Sequence, residues 1–487
     1  MKDFKQLGLK VGLEIHIQLN TKHKLFCKCL TTQKEKEPIL TVVRKLHPVY
    51  SELGELDRAA QFEYLRNRTF YYQVFKNESC LVELDEEPPH QVNREALEIA
   101  LQIALLFNCE IPDEIHVMRK TVIDGSNTSG FQRTMIVGMD GWFEYKNQKI
   151  PIKTICLEED AAAIVKEENG KVFYRLNRLG IPLVEISTGI LENFTPKEIE
   201  EIAYNIWLIC KSTNKIKEEI GSVRQDINVS IKKGARVEIK GVQRLSLISK
   251  VIENEIERQL KLIKEGKKVE EETRAARADG TTYFTRPLPG AARMYPETDI
   301  PPIKIENSYL RKLKRTLPQP LTQKLEILRT TYKLSTDLAN QLIVSKYLPI
   351  FEKIIKTHRV EPKIVASFFV NTLKDLKRKN ELKEENLREK HFLKLFEMFA
   401  RGEIVKEAFP QIISRVSFDP EKNLEQIVDE LNLRVLKKGE LERIVKKIVE
   451  ENKELPLGKL IGIAISKVRG KADPKLVAEL VKRFKEG

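Results

Sequence analysis

Hydrophobic and polar residues alternate along roughly the first 300 residues with the period of two that is typical of half-buried strands. The clearest stretches are residues 9–19, 171–176 and 181–187. Glycine and proline turns separate many of these stretches, so the strands are short and change direction often. This pattern predicts a curved antiparallel sheet.

Two segments of the same part of the chain carry apolar residues every three or four positions, which predicts amphipathic helices. One runs from about residue 93 to 108. The other begins at Thr195, where Pro196 and Glu198 complete a capping box with proline at the first helical position. Strands and helices together predict an α+β domain over residues 1–303.

The pattern changes after two consecutive prolines at positions 301 and 302. Residues 304–414 are rich in charged residues, leucine and isoleucine and keep a helical spacing, which predicts a helical domain. Residues 415–487 are predicted to form a small helical tail domain. After Gly458 eight basic residues accompany only three acidic ones, which fits a phosphate-binding surface and equally well a solvated helix face.

The overall charge favours a polyanionic partner. The 487 residues carry a net charge of +14, and the isoelectric point is about 9.2. No apolar segment approaches the ~18 residues that a membrane span needs, and the first residues contain no apolar signal core. We therefore expect a cytoplasmic protein that does not enter a membrane.

The six cysteines do not have the spacing of a disulfide framework and indicate a reducing compartment. Cys27 and Cys29 could supply two zinc thiolates, but no C-x-x-C or histidine-rich pair accompanies them. The sequence alone therefore favours chance or structural cysteines over a zinc site.

Two acidic motifs could hold a divalent cation. In the strand pattern at 11–19, Glu14 and His16 lie two residues apart and hence on one face, where a carboxylate and an imidazole can share a metal ion. Glu158, Glu159 and Asp160 follow an apolar stretch and would repel one another without a cation or an arginine. A solvent-facing strand and an exposed acidic turn are the alternative interpretations.

A predicted hairpin at 223–240, closed near Lys233, has a polar face of mixed charge. Arg224 and Asp226 share one side of its first strand, and Lys240 alternates with apolar residues on the second. Cations for phosphate oxygens and carboxylates for a metal ion are what phosphoryl transfer needs. A solvated sheet edge would have the same composition, so the pattern leaves both interpretations open.

Two loops contain many polar groups suited to a nucleotide or polar substrate. The string IDGSNTSGFQRT includes Ser126, Ser129 and Arg133 among small hydroxyl and amide residues. The string RPLPGAARMYPETD includes Arg293 in a frame set by prolines. Neither a Walker A string nor a protein-kinase glycine loop is present in the sequence, so any ATP site has another architecture.

Taken together, the motifs resemble a known family, the archaeal GatE subunits of glutamyl-tRNA(Gln) amidotransferase, and more loosely their bacterial and organellar relatives, the GatB subunits. The similar strings are, in order, VGLEIHIQL, TKHKLFCKC, GSNTSGFQRT, LEEDAA, YRLNRLGIPLVEI, SVRQDINVSI, ARVEIKGVQ and RPLPGAARMYPETDIPP. The end of the chain, residues 470–475, is similar to the tail module that these subunits share with the YqeY family. Typical GatE subunits carry an aspartyl-tRNA-synthetase-like insert where this chain has only residues 266–285, so a compact member is expected.

The resemblance implies an enzyme that uses ATP and Mg²⁺. ATP would phosphorylate the glutamate carried by tRNA(Gln), and ammonia would then attack the acyl phosphate to give glutaminyl-tRNA(Gln). The metal ligands carried over from the family are Glu14, His16, Glu158, Glu159 and Asp226. The chemistry of the side chains favours Arg224, Lys240 and Arg293 for the phosphate charge, and Ser126, Ser129 and Arg133 for the nucleotide.

The resemblance also implies partners. Ammonia would come from an asparaginase-like amidotransferase subunit, GatD, in an assembly with a homodimer inside a heterotetramer. Two other interpretations stay open: a non-catalytic tRNA-binding scaffold, and a bacterial-type subunit that works with a glutaminase of the amidase family. The acids at 158–160 speak against the scaffold, since a surface that binds a polyanion should avoid acids.

Overall fold

The computed structural model describes residues 4–47, 58–219, 221–288 and 294–486. The chain divides into two compact units, Met1–Thr322 and Gln323–Gly487. Among the helices of these described ranges, none is long and apolar enough to cross a membrane.

The first unit combines strands and helices, as the α+β prediction requires. Its strands are β1 (Lys10–Gln18), β2 (Leu40–Arg44), β3 (Thr69–Val74), β4 (Glu114–Ile115), β5 (Met118–Thr121), β6 (Phe131–Tyr145), β7 (Gln148–Glu159), β8 (Ala163–Glu168), β9 (Lys171–Arg175), β10 (Pro182–Thr188), β11 (Leu191–Glu192), β12 (Val223–Ser230), β13 (Val237–Val242), β14 (Glu272–Ala276), β15 (Thr282–Pro287), β16 (Met294–Pro296) and β17 (Ile303–Lys304). Its helices are α1 (Arg58–Leu65), α2 (Arg94–Leu106), α3 (Pro196–Lys211), α4 (Ile248–Lys264) and α5 (Asn307–Arg315).

The main sheet is mixed, whereas the sequence predicts an antiparallel one. Its strand order is β15-β14-β13-β12-β1-β10-β7-β6-β5-β16, and β11 also pairs with β1. Neighbouring strands are antiparallel except β13 and β14, which are parallel. The chain between these two strands contains α4, and parallel neighbours need such a crossover connection. A smaller sheet has the order β2-β3-β9-β8, and β17 pairs with β4.

Strand β1 shows how the alternating sequence positions the sheet. Val11, Leu13, Ile15 and Ile17 lie on one face and are at most 1% exposed. Helices α2, α3 and α4 pack on that side and complete the core. Burial of each of these side chains contributes about 1.5–3 kcal/mol, which fixes the face that β1 turns inward. The polar residues of β1 are therefore left together on the opposite face.

The two predicted helices of this unit form, and their caps explain where they begin. The Thr195 hydroxyl accepts a hydrogen bond from the N–H of Glu198, and the Glu198 carboxylate accepts one from the N–H of Thr195 at 3.0 Å. Pro196 occupies the first helical position, as predicted. Asn93 caps α2 by accepting hydrogen bonds from two N–H groups of its first turn. Each cap contributes about 1 kcal/mol.

The second unit is helical. Its helices are α6 (Leu321–Thr330), which begins at the boundary, α7 (Thr336–Ile343), α8 (Leu348–Thr357), α9 (Pro362–Ser367), α10 (Leu373–Arg378), α11 (Glu389–Ala400), α12 (Phe409–Phe418), α13 (Leu424–Glu430), α14 (Lys438–Glu451), α15 (Leu457–Lys467) and α16 (Pro474–Glu486). The last three pack around a cluster of their own that includes Leu441, Leu460 and Val477.

The boundaries of the units differ from the predicted domain limits. The predicted helical domain starts at residue 304, but α5 belongs to the first unit, where Leu313 is buried in the main core. The predicted limit between residues 414 and 415 lies inside α12. The division of the second unit into a helical domain and a tail domain stays a prediction.

Candidate active site

The polar face of the main sheet collects side chains from five neighbouring strands, β13, β12, β1, β10 and β7. Antiparallel pairing places Glu14 opposite Asp226 on one side of β1, and His16 opposite Glu185 on the other. Residues directly opposite each other in a ladder point to the same face. The register therefore brings acids from distant parts of the chain to the two sides of β1.

Three of these side chains form a first cluster around His16. The Nε2 atom of His16 lies 3.2 Å from Glu185 Oε2, and ligand atoms of His16, Glu158 and Glu185 all lie within 4.8 Å of one another. Lys120 partly neutralises the two acids, with its Nζ 3.4 Å from Glu158 and 3.2 Å from Glu185. The Thr134 hydroxyl donates to Glu158 at 2.7 Å and orients that carboxylate.

A second cluster lies on the other side of β1 and contains Glu14, Asp226 and Glu238, again with carboxylate oxygens within 4.8 Å of one another. Lys240 bridges two of these acids, and its Nζ is 3.0 Å from both Asp226 and Glu238. The N–H of Gly241 donates to Asp226 at 2.9 Å. Both clusters thus consist of three side chains that could bind a metal ion, with one lysine beside them.

Two acids of this face have raised pKa values, chiefly because they are buried. Burial raises the pKa of Glu14 to about 7, and the charges of nearby acids, Glu185 first, add to this effect although Lys240 opposes it. Burial and the charge of Glu185 also raise the pKa of Glu158 above its ordinary value. A buried carboxyl group with a raised pKa is harder to ionise than the same group in water. A cation bound between these carboxyl groups would favour their charged forms.

Glu185 and His16 contact each other at the centre of the first cluster. Burial alone would raise the pKa of Glu185, but the hydrogen bond with His16 and the charge of Lys120 hold it well below its ordinary value. Burial lowers the pKa of His16, yet its contacts with Glu185 outweigh burial and the net pKa is raised. A metal ion bound to this imidazole would compete with a proton for the same nitrogen.

Four of the five predicted metal ligands, Glu14, His16, Glu158 and Asp226, are brought to this face. Lys240 also lies there. Arg224 borders it opposite His16, but its guanidinium donates to the buried Asp160 at 2.6 Å. The predicted phosphate-binding residue Arg293 lies outside the described residues. The roles of these residues stay predictions.

Glu159 is not brought to either cluster, although the sequence groups it with Glu158. Consecutive residues of a strand point to opposite faces, so only one of the two can face His16. The Glu159 carboxylate lies 3.5 Å from the guanidinium of Arg133 and accepts a hydrogen bond from the backbone of the same residue at 3.2 Å. Its surroundings are those of a buried structural ion pair.

The predicted nucleotide-binding residues are also placed away from the clusters, where they stabilise their own loop or a neighbouring ion pair. The backbone and hydroxyl of Ser126 donate to Asp124, and the Ser129 hydroxyl donates to a backbone carbonyl two residues on. Arg133 is 5% exposed and also pairs with Glu297 at 2.8 Å. The hydrogen bonds of these residues are therefore made within the protein.

Sequence reasoning missed Glu185, Glu238 and Lys120. Glu185 is the one charged residue in the apolar string IPLVEI, and such an isolated charge in a strand pattern is a usable signal. Glu238 lies on the predicted polar face of the hairpin without being distinguished from its neighbours. Lys120 gives no local signal, because its partners are 38 and 65 residues away in sequence.

Comparison with known proteins identifies the family to which the chain belongs. The family model described as the GatB/GatE catalytic domain matches residues 9–311, which contain every residue of both clusters. A second model, described as the GatB domain, matches residues 349–484. This chain belongs to the GatB/GatE family. It is therefore an amidotransferase subunit of the ligase type.

Three archaeal relatives, each named as the GatE subunit of glutamyl-tRNA(Gln) amidotransferase, are similar to this family member over nearly its whole length. The relative from Methanocaldococcus jannaschii is 36% identical, and the alignment covers 99% of both chains. Those from Aeropyrum pernix and Thermococcus gammatolerans are also 36% identical, with 99% of this chain and 98% of the relative covered. The first alignment has 628 positions against 487 residues here, a difference of 141, so this member is compact, as predicted.

Proposed function

We propose that this protein converts glutamate esterified to tRNA(Gln) into glutamine on the polar face of the main sheet. In the first step the side-chain carboxylate of the glutamate attacks the γ-phosphorus of ATP, which forms an acyl phosphate and releases ADP. In the second step ammonia attacks the acyl carbon, phosphate leaves and the nitrogen loses a proton. Without phosphorylation the leaving group would be oxide, so the first step makes the second feasible.

The paired clusters carry this proposal. Phosphoryl transfer depends on positive charge around the phosphate oxygens and on a fixed nucleophile. Glu14 and His16 join the two clusters, and their Cα atoms lie roughly 7 Å apart because they are two residues apart in one strand. The side chains of Lys120 and Lys240 are 31% and 40% exposed on this face. We place these ammonium groups against the phosphate oxygens.

The second cluster offers three carboxylates, the donors that Mg²⁺ prefers, and the first offers two carboxylates and an imidazole. His16, Glu158 and Glu185 would hold one ion, and Glu14, Asp226 and Glu238 would hold a second. Mg²⁺ favours oxygen ligands, and a bound cation would favour the ionised forms of Glu14 and Glu158, whose pKa values are raised. When bound, the metal neutralises charge on the phosphate groups.

Neighbouring polar side chains are proposed to hold the carboxylates of the two clusters in the orientation that binds the metal ion. Thr134 and Gln132 both donate to Glu158, at 2.7 and 3.1 Å, and Asn228 donates to Glu14 at 3.3 Å. Such contacts hold a carboxylate in its productive orientation before the metal ion binds. The substrate is then bound by groups that need little rearrangement.

The remaining parts of the proposal concern tRNA and ammonia. The basic excess after Gly458 favours phosphate contacts between the second unit and the tRNA. We propose that an asparaginase-like partner of the GatD type releases the ammonia, in an assembly of two copies of each chain. The names of the relatives support the tRNA substrate and the presence of partner subunits.

A transamidation assay tests the reaction and its residues together. The purified chain is supplied with Glu-tRNA(Gln), ATP, Mg²⁺ and ammonium chloride, and Gln-tRNA and ADP are measured in parallel. We expect one ADP for each Gln-tRNA formed, and a loss of about 100-fold or more in Glu158→Gln with tRNA affinity changed by only a few fold. Glu192→Gln, an exposed carboxyl paired only with Lys10 among the described contacts, is the matched control. Turnover near the wild-type rate by Glu158→Gln at low Mg²⁺ would contradict the assignment.

A further inference from the structure

Helix α5 carries a concentration of positive charge on the surface of the first unit. Four exposed side chains form what we call its basic face: Arg311, Lys312, Lys314 and Arg315. None of the four forms an ion pair among the described contacts. Among the helices of the first unit within the described ranges, α5 is the one that contains no acidic residue. The basic face therefore has no counter-charge within its own helix.

The charges of the basic face repel one another. Arg311 and Arg315 are four residues apart, a spacing at which side chains are neighbours on a helix surface and like charges are unfavourable. Helix α4 also has bases in its last turn, Lys261 and Lys264, but Glu257 lies four residues before Lys261. Bases in the last turn interact favourably with the helix dipole in both helices, so the dipole does not explain why α5 lacks acids.

We propose that the basic face of α5 binds the phosphate backbone of RNA, in addition to the phosphate contacts of the second unit. The inference rests on the proposed function, in which the substrate is a tRNA. A guanidinium group can donate two parallel hydrogen bonds to one phosphate, and the ammonium groups of lysine add positive charge beside it. Phosphate groups do not have to displace carboxylates of α5, because this helix has none.

The position of the basic face is fixed before RNA arrives. Leu310 and Leu313 of α5 pack into the main core of the first unit, and Leu313 is 5% exposed. The Tyr309 hydroxyl donates to the Glu98 carboxylate of α2 at 3.1 Å and ties the two helices together. Binding therefore has to order the basic side chains but not the helix, which reduces its entropic cost.

The distribution of apolar residues in α5 favours RNA over a membrane surface. A helix that lies on a membrane turns an apolar face toward the lipid. The leucines of α5, Leu310 and Leu313, instead face the protein core. Contacts to phosphate groups add affinity and position the RNA, but they do not distinguish one sequence from another. We therefore expect the basic face to strengthen the binding of any tRNA.

A binding titration of the whole chain with uncharged tRNA(Gln) at several salt concentrations tests the proposal without an assay of the proposed reaction. The variant replaces both Arg311 and Arg315 by glutamine, which keeps the helix propensity. Its slope of log affinity against log salt concentration should fall by about 1.4–1.8, and its affinity at about 0.1 M salt should fall by about tenfold or more. The matched control replaces Lys261 and Lys264 of α4 by glutamine, which removes the same charge from the last turn of another helix. The control should keep the wild-type slope.

A second measurement needs no variant. Acetylation of lysines is followed by mass spectrometry with and without tRNA, and bound tRNA should slow the reaction severalfold at Lys312 and Lys314 but not at Lys261 and Lys264. Equal salt slopes of the wild type and the arginine variant would overturn the proposal, as would an equal loss of affinity in the variant and the control. Either result would leave the proposed function intact. A wild-type chain that binds no tRNA at any salt concentration would overturn both.

Discussion

Replacement of Glu14 by glutamine is expected to make the metal-free protein more stable at pH 8, although it removes a ligand that we propose to be essential. Glu14 is the acid of the second cluster that has no lysine within ion-pair distance among the described contacts; Lys240 pairs with Asp226 and Glu238 instead. Glutamine keeps the shape of the side chain and its hydrogen-bonding capacity with Asn228. The change therefore removes mainly charge.

The magnitude follows from the pKa of the carboxyl group. Burial and the neighbouring acids raise it from the ordinary 4.5 to about 7. One pKa unit corresponds to about 1.4 kcal/mol, so the charged form lowers the free energy of unfolding by about 3 kcal/mol at most, and by about 1–3 kcal/mol after allowance for solvent screening. Because the folded pKa is the higher one, this cost is absent below pH 4.5 and develops as the pH rises toward 7.

Urea unfolding in EDTA at two pH values measures the effect. At pH 8 the Glu14→Gln variant should unfold at a higher urea concentration than the wild type, and near pH 4.5 the two should nearly coincide. Glu192→Gln, on an exposed strand, should match the wild type at both. Saturating Mg²⁺ should then stabilise the wild type by about 2.7 kcal/mol at 100 times its Kd, and the variant by less. A variant that is less stable than the wild type at pH 8 in EDTA would refute the charge argument.

Three further predictions concern other parts of the molecule. Glu159→Gln should leave the Mg²⁺ dependence of activity unchanged, because the Glu159 carboxylate pairs with Arg133 and lies in neither cluster; a Mg²⁺ titration of activity measures this. Replacement of both Lys467 and Arg469 by alanine should raise the KM for Glu-tRNA(Gln) and leave kcat within about twofold. It should also reduce the slope of log affinity against log salt concentration by the equivalent of about one to two phosphate contacts. Superimposable salt slopes would mean that these residues do not bind tRNA. The purified chain should use ammonium salts but neither glutamine nor asparagine, and amidase activity in it would contradict the need for a partner.

The local part of the site could be predicted from the sequence because it depends on the alternation within one strand. Glu14 and His16 share a face in any extended conformation, and the apolar residues between them decide which face turns to the core. The hairpin that carries Asp226 and Lys240 follows from the same rule. These predictions needed no knowledge of which strands lie beside each other.

The rest of the site depends on strand order, which alternation does not determine. Glu185 reaches His16 because β10 pairs with β1 across 169 residues of sequence, and nothing local specifies that partner. The grouping of Glu158 with Glu159 has another cause: the sequence predicts crowded acids at the end of a strand, but β7 continues through Glu159 and turns the two side chains to opposite faces.

A break in the regular ladder between β12 and β13 completes the second cluster. The register shifts between Gln225 and Ile227, so Asp226 has no single partner across the ladder. Gly241 lies on the opposite strand with φ of +75°, a conformation that side chains other than glycine rarely adopt, and its N–H reaches the Asp226 carboxylate at 2.9 Å. In a regular antiparallel pair this N–H would donate to a backbone carbonyl group of a neighbouring strand. Because of the bulge, the N–H of Gly241 donates to the Asp226 carboxylate, which also pairs with Lys240. An alanine at position 241 would therefore strain the backbone at the point that orients this carboxylate.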